Sequence, residues 1–258
     1  MHILDDPSLS PRVRALLARA RRGPSMSADR IRESARAEAS DGSKAPVPAG
    51  ATEAMIRFEG RYGGLWYPLL SSNGMDHGLD GAATVYPSID GWGFPGLTDG
   101  DQTWGVDVLL DGRTVMTLAE QPRVINSSVG QRLEAHAQLA QVRGWPHVSL
   151  GIATEPGQEP TVDDDGFPTL DAEATGPADK WWSNDGTAIH LELHKWWGDE
   201  DVWVACCFAR QDANLTAAVE AVRQAGARVW RDEEWCPLCS RFRRPDQPCL
   251  PGAESRHF

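Results

Sequence analysis

Between Ala188 and Lys195 apolar and polar side chains alternate without a break. Ile189, Leu191 and Leu193 fall on one side, His190, Glu192 and His194 on the other. A period of two belongs to a strand with one face in a core and the other in water. Asp199, Glu200 and Asp201 supply a polar turn, and residues 202–208 return as a more apolar strand. This stretch therefore reads as an antiparallel hairpin. Asp111-Gly112 sets a second hairpin, joining residues 103–110 to 114–118, because both central positions of such a turn need positive φ. Each hairpin is followed by a helical stripe. Val129, Leu133, Ala137 and Ala140 mark one over 127–143. Leu215, Val219 and Val222 mark another, opened by Asp212 or Asn214 and closed by Gly226. Helices follow hairpins with no regular βαβ rhythm, which predicts an α+β fold with a mainly antiparallel sheet and flanking helices.

Upstream, Ala51, Met55, Phe58 and Tyr62 repeat at helical spacing and Gly63-Gly64 stops the helix. Residues 65–69 then read as a strand. Ser71–Asp101 and Thr154–Asp179 are rich in Gly, Asp and Pro and read as long loops, with Val85-Tyr86 as a short strand in the first. Residues 1–45 contain no aromatic side chain. Ser10 caps a short helix there, with Pro11 at its first position and Val13, Leu16 and Leu17 on one stripe. Three segments are expected: a basic N-terminal appendage over 1–45, partly helical or disordered, an α+β core over 46–145, and an α+β extension over 146–258 with a Cys-rich tail. On this reading the body folds without the appendage, whose helix is solvated.

The 258 residues hold 25 Lys+Arg against 37 Asp+Glu, a net charge of −12. The balance is uneven: nine Lys/Arg against six Asp/Glu in 1–45, then 16 against 31 in 46–258. An acidic body argues against general binding to phosphate backbones, which needs a basic surface. No apolar run approaches the roughly 20 residues that span a bilayer, and the N-terminus lacks the apolar stretch of a secretory signal. Five Cys in no regular framework suit a reducing compartment. The expectation is a cytoplasmic protein.

The run Ile56-Arg57-Phe58-Glu59-Gly60-Arg61-Tyr62-Gly63-Gly64-Leu65-Trp66-Tyr67-Pro68 resembles the start of the SUKH superfamily of bacterial immunity-type proteins. There a helix ends in an acidic-aromatic-Gly-Gly turn that feeds the first strand. The following order is also similar: a Gly- and Asp-rich loop, the Asp111-Gly112 hairpin and the helix over 127–143. The resemblance covers about 46–145. It implies a non-enzymatic module that binds a partner protein, a cognate toxin whose active site it blocks. Many such toxins are nucleases with basic surfaces, to which an acidic body offers a complementary field. The same acidity also serves plain solubility.

Residues able to carry chemistry are few. Trp235-Cys236-Pro237-Leu238-Cys239 places two thiols in one tight turn, and Cys249 and His257 follow. Cys236, Cys239, Cys249 and His257 could form a tetrahedral structural zinc site; two reduced thiols, or a redox pair, are the alternatives. The His190/Glu192/His194 face offers metal-ligand types, though wet strand faces often look alike. Asp163-Asp164-Asp165 reads as a solvated acidic loop. Among eleven Trp, the adjacent pairs Trp181-Trp182 and Trp196-Trp197 could each expose one indole to a protein or a sugar. The alternative reading is a metal-dependent or carbohydrate-directed enzyme built on these features. No nucleophile elbow, phosphate loop or dinucleotide fingerprint occurs, and Cys206-Cys207 sits in a strand as small buried hydrophobes. Zinc coordination would hold a tail that is otherwise poor in apolar area. Elemental analysis of protein purified without added metal should then find about one zinc per chain, and Cys236→Ser should release it.

Overall fold

A computed structural model of the chain describes residues 1–69, 74–79, 81–99, 105–118, 121–162, 168–196, 199–227, 234–236 and 241–243, the last two segments by backbone alone. The fold is α+β, with mainly antiparallel sheets and flanking helices. It divides into two compact units, Met1–Ala137 and Gln138–Phe258.

The first unit begins with helix α1 (Pro11–Leu17), strand β1 (Arg21–Arg22), helix α2 (Ala28–Ser34), strands β2 (Arg36–Glu38) and β3 (Lys44–Ala45) and helix α3 (Ala51–Tyr62). Strands β4 (Leu65–Tyr67), β5 (Met75–His77), β6 (Thr84–Ser88), β7 (Gly91–Asp99), β8 (Gly105–Leu109), β9 (Thr114–Leu118) and β10 (Gln121–Asn126) follow. Helix α4 (Val129–Val142) carries the division between the units. The ten strands form one sheet ordered β1-β4-β5-β7-β6-β2-β3, with β8, β9 and β10 added in turn from β7. Among the described residues only β2 and β6 pair in parallel. The long β7 pairs with β6 at its start, with β5 at its end and with β8 along its length, the β7–β8 register shifting between Pro95 and Leu97, where proline cannot donate to a ladder. A hairpin forms at Asp111-Gly112 between β8 and β9, but not as the expected two-residue turn: Leu109 bonds Arg113 across residues 110–112, and of the Asp-Gly pair only Gly112, at φ +97°, is left-handed. The stretch from Ser71 to Asp101, expected as loop with one short strand, instead carries β5, β6 and β7. Among the described residues Gly91 follows the β6–β7 turn, Pro87 and Gly93 lie in paired strand positions and Pro95 and Gly96 at the bulge, a placement that composition alone does not distinguish from a loop.

The largest departure from expectation lies at the N-terminus. Residues 1–45 are not an appendage. Strand β1 pairs with β4 and β2 pairs with β6, while Ile3, Val13, Leu16, Leu17, Ile31 and Ala37 are buried. Ile31 and Ala37 join one core with Met55, Phe58, Val85, Phe94, Leu97 and Val108. Ser10 caps α1 as predicted, accepting from the Val13 amide at 3.2 Å, and also donates to Glu134 at 3.0 Å. The arginines that give the segment its charge are largely engaged within the unit. Arg12 Nε lies 2.5 Å from Glu134, Arg21 stacks 3.7 Å over the Trp66 ring, and Arg36 donates to Thr84. An aromatic-free sequence reads as coreless, yet a few aliphatic side chains fill gaps that aromatics elsewhere leave open.

The second unit is simpler. Strands β11 (His147–Thr154), β12 (Thr169–Leu170), β13 (Asp179–Ser183), β14 (Thr187–Lys195) and β15 (Asp201–Ala209) form an antiparallel sheet ordered β11-β15-β14-β13-β12. Helix α5 (Asp212–Gln224) packs on β14 and β15. The β14–β15 hairpin is the predicted one, and Ile189, Leu191 and Leu193 are buried as the alternation requires. Strands β16 (Glu234–Cys236) and β17 (Arg241–Arg243) pair as a separate hairpin. Among the described residues no helix is long and apolar enough to cross a membrane.

Because 1–45 supplies strands and core to the first unit, deleting it should cost the protein its cooperative unfolding in urea. Ile31→Ala alone, at a fully buried site, should cost about 2–4 kcal/mol in the same measurement.

Candidate functional site

The Glu59-to-Gly64 turn is a clasp rather than a simple helix stop. Glu59 is buried at the end of α3. One carboxylate oxygen accepts from the Met26 amide at 2.5 Å and the other from the Leu79 amide at 2.9 Å. Gly63 lies so close that a Cβ there would stand 2.5 Å from the Glu59 carbonyl, and Gly64, at φ +71°, abuts Gly23. Gly64 donates to the His77 carbonyl and accepts from the Gly23 amide. Glu59, Gly63 and Gly64 thus each meet backbone, and none of the three opens toward a ligand.

Behind the turn lies a buried polar layer. His77 packs between Tyr62 and Tyr67, with ring centroids 6.3 and 5.4 Å away. The Tyr67 hydroxyl lies 2.7 Å from His136 Nδ1, and Arg132 donates to Asn126 at 3.4 Å. Burial, assisted by the Arg132 charge, pushes the His77 imidazole down to about 3, against a weaker opposing effect of the Leu65 backbone. Sequence reading missed His77, since a lone histidine between glycine-rich stretches gives no signal of burial.

In the second unit the register aligns Ser149, Cys206, His190 and Trp181 in one row across four strands. His190 Nε2 lies 2.8 Å from Asp179 Oδ1, and the Trp181 indole stacks on the imidazole at 4.1 Å. Burial would lower the His190 pKa, but the hydrogen bond and charge of Asp179, with Glu192 beyond, raise it overall. His194 is exposed next to the shift in register between Leu193 and Lys195. His190, Glu192 and His194 do not converge on a common point: among the described residues no three His, Cys, Asp or Glu are arranged to hold a metal. Trp181 and Trp182, expected to leave one indole in water, are 1% and 5% exposed. A strand with both faces covered buries both neighbours. Trp196 is also buried, whereas Trp197 and the 163–165 acidic run lie outside the described residues. So do the side chains of Cys236, Cys239, Cys249 and His257. Cys206 and Cys207 are buried in β15, and burial holds the Cys207 thiol protonated.

What the second unit does expose is carboxylate. Residues 146–201 hold 13 Asp/Glu against two Lys. The register brings the end of β11, the start of β13, the end of β14 and the start of β15 to one edge of the sheet, with Thr154 opposite Asp201 and Asp179 opposite Glu192. Glu155, Glu159, Asp179, Glu192, Asp199, Glu200 and Asp201 gather there. Asp201 accepts from the Gly157 amide at 2.8 Å, Lys180 pairs with Glu159, and Asp179 holds His190. Glu155, Asp199 and Glu200 are exposed and make no ion pair among the described residues. By contrast the first unit is close to charge balance, with 17 Asp/Glu against 14 Lys/Arg. No family model matches the chain, and neither a curated protein nor a solved structure does.

His77 makes the first unit sensitive to acid. The unfolded imidazole takes a proton near 6.5, whereas the folded one stays neutral until about 3. The unfolded state therefore binds more protons throughout that window, and stability falls with pH by about 1 kcal/mol per unit. Urea midpoints measured from pH 7 to pH 4 should fall less steeply for His77→Leu than for the wild-type chain.

Proposed function

We propose that this chain is a protein-binding module of the immunity type, whose carboxylate edge in the second unit meets a basic partner domain and covers its active surface. The observation that carries the reading is the charge distribution. The first unit engages many of its arginines internally, while the second sets unpaired Glu155, Asp199 and Glu200 at one sheet edge. Complementary fields of this kind raise association rates and reject partners of the wrong charge. The resemblance of residues 56–68 to the SUKH start supports the same reading, with the helix, Gly-Gly turn and strand present in that order. A nuclease-type toxin, basic because it must hold phosphates, is the partner of matching chemistry. Such a module would act in the cytoplasm, where that toxin's substrate lies.

The test uses a basic toxin domain, where one is encoded beside this chain, purified as an inactive variant. Association should slow by about tenfold or more between low and high salt. The triple change Glu155→Lys, Asp199→Lys and Glu200→Lys should slow it similarly while leaving the urea midpoint unchanged. Association equally fast at all salt concentrations, or no complex with that domain, overturns the reading.

A further inference from the structure

A groove of about 250 Å3 opens in the first unit between one side of α3 and the β8–β9 hairpin. Its floor is apolar. Phe58 and Phe94 meet edge to face with centroids 5.4 Å apart, and Val108 lies beside them. Its lining also includes Arg57 and Arg61, one turn apart on α3 with Arg57 exposed, and Tyr62 and Ser128. Burial raises the Tyr62 pKa, so its phenol keeps the proton it would donate. The one carboxylate in the lining, Asp111, is already held by Arg113, whose Nε lies 2.8 Å away and whose amide donates at 3.0 Å. Arg61 is likewise paired, with Asp6. Arg57 has no hydrogen-bond or ion-pair partner among the described residues.

We propose that this groove binds the C-terminal residue of a partner polypeptide, with its apolar side chain on the Phe58–Phe94–Val108 floor and its free carboxylate on Arg57. The space is below the usual range for drug-sized ligands and suits about one large side chain. A single unpaired guanidinium calls for a single anion, and its planar fork matches a carboxylate with two parallel hydrogen bonds. In a terminal residue the carboxylate and the apolar side chain leave the same Cα, so one residue serves both floor and cation. A phosphate, with more oxygens to satisfy, would find an apolar floor beneath it. The occupant is opposite in charge to the basic domain proposed for the second unit, and this site does not depend on that reading.

Isothermal titration of the full chain with N-acetyl-Ala-Ala-Leu-Phe, carrying a free C-terminus, tests the assignment. The free acid should bind, and the same peptide amidated at its C-terminus should bind at least about tenfold more weakly. Arg57→Gln should weaken binding of the acid by a similar factor, without changing the amide or the urea midpoint, since Arg57 supports no internal contact. No binding up to about 1 mM, equal affinity for acid and amide, or an unaffected Arg57→Gln variant overturns the proposal. N-acetylphenylalanine, which carries the same side chain and carboxylate, should bind within about tenfold of the tetrapeptide; its failure to bind would place the contacts elsewhere in the peptide and overturns the proposal as well.

Discussion

The first unit is organised around the Glu59 carboxylate. A buried carboxylate is costly unless hydrogen bonds satisfy it, and here both oxygens accept backbone amides from segments distant in sequence, Met26 and Leu79. That requirement brings the N-terminal segment and the loop after β5 to the end of α3. The glycines follow from it. Gly63 leaves room for the Glu59 side chain, and Gly64 turns in the left-handed region against Gly23, so that β1 can lie beside β4. Without the clasp, the first 45 residues would lose the contact that fixes where they join the sheet.

The two units treat charge in opposite ways. In the first, cations and anions are spent on each other: Arg12 on Glu134, Arg61 on Asp6, Arg113 on Asp90 and Asp111. Arg57 is one of several cations of that unit with no such partner among the described residues, and it lies beside the groove. In the second, carboxylates outnumber cations so heavily that pairing is arithmetically impossible, and β-sheet register then decides where the surplus appears. Antiparallel order places four strand ends and their turns together, and the surplus collects at that edge. Inside the same sheet Asp179 is used differently, holding a half-buried histidine against a tryptophan.

Local chemistry accounts for much of the fold. Strict alternation over 188–195, the Ser10 cap and the stripes of α3 and α5 are each decided by neighbours a few residues away, and each forms as read; a hairpin also forms at Asp111-Gly112, by a longer turn than the two-residue one. Strands β11 and β13 were harder to read: β13 carries Trp181 and Trp182 with both faces covered, so no alternation marks it. The bent β7 hid for a related reason, since Gly93, Pro95 and Gly96 look like loop residues until a partner strand lies on each side.

The candidate sites divide the same way. Sequence determined that the body would be acidic, because composition is fixed before folding, and that residues 51–68 would run helix, tight turn, strand, because glycine and hydrophobic spacing act locally. It could not determine that Arg57 would be left unpaired while Arg61 found Asp6, that His77 would be sealed between two tyrosines, or that seven carboxylates spread over 155–201 would share one edge. Those facts depend on contacts between residues tens of positions apart. Only the packed sheet and its register set such distances, because the energy of a charge or a buried ring depends on what surrounds it in space rather than on its neighbours along the chain.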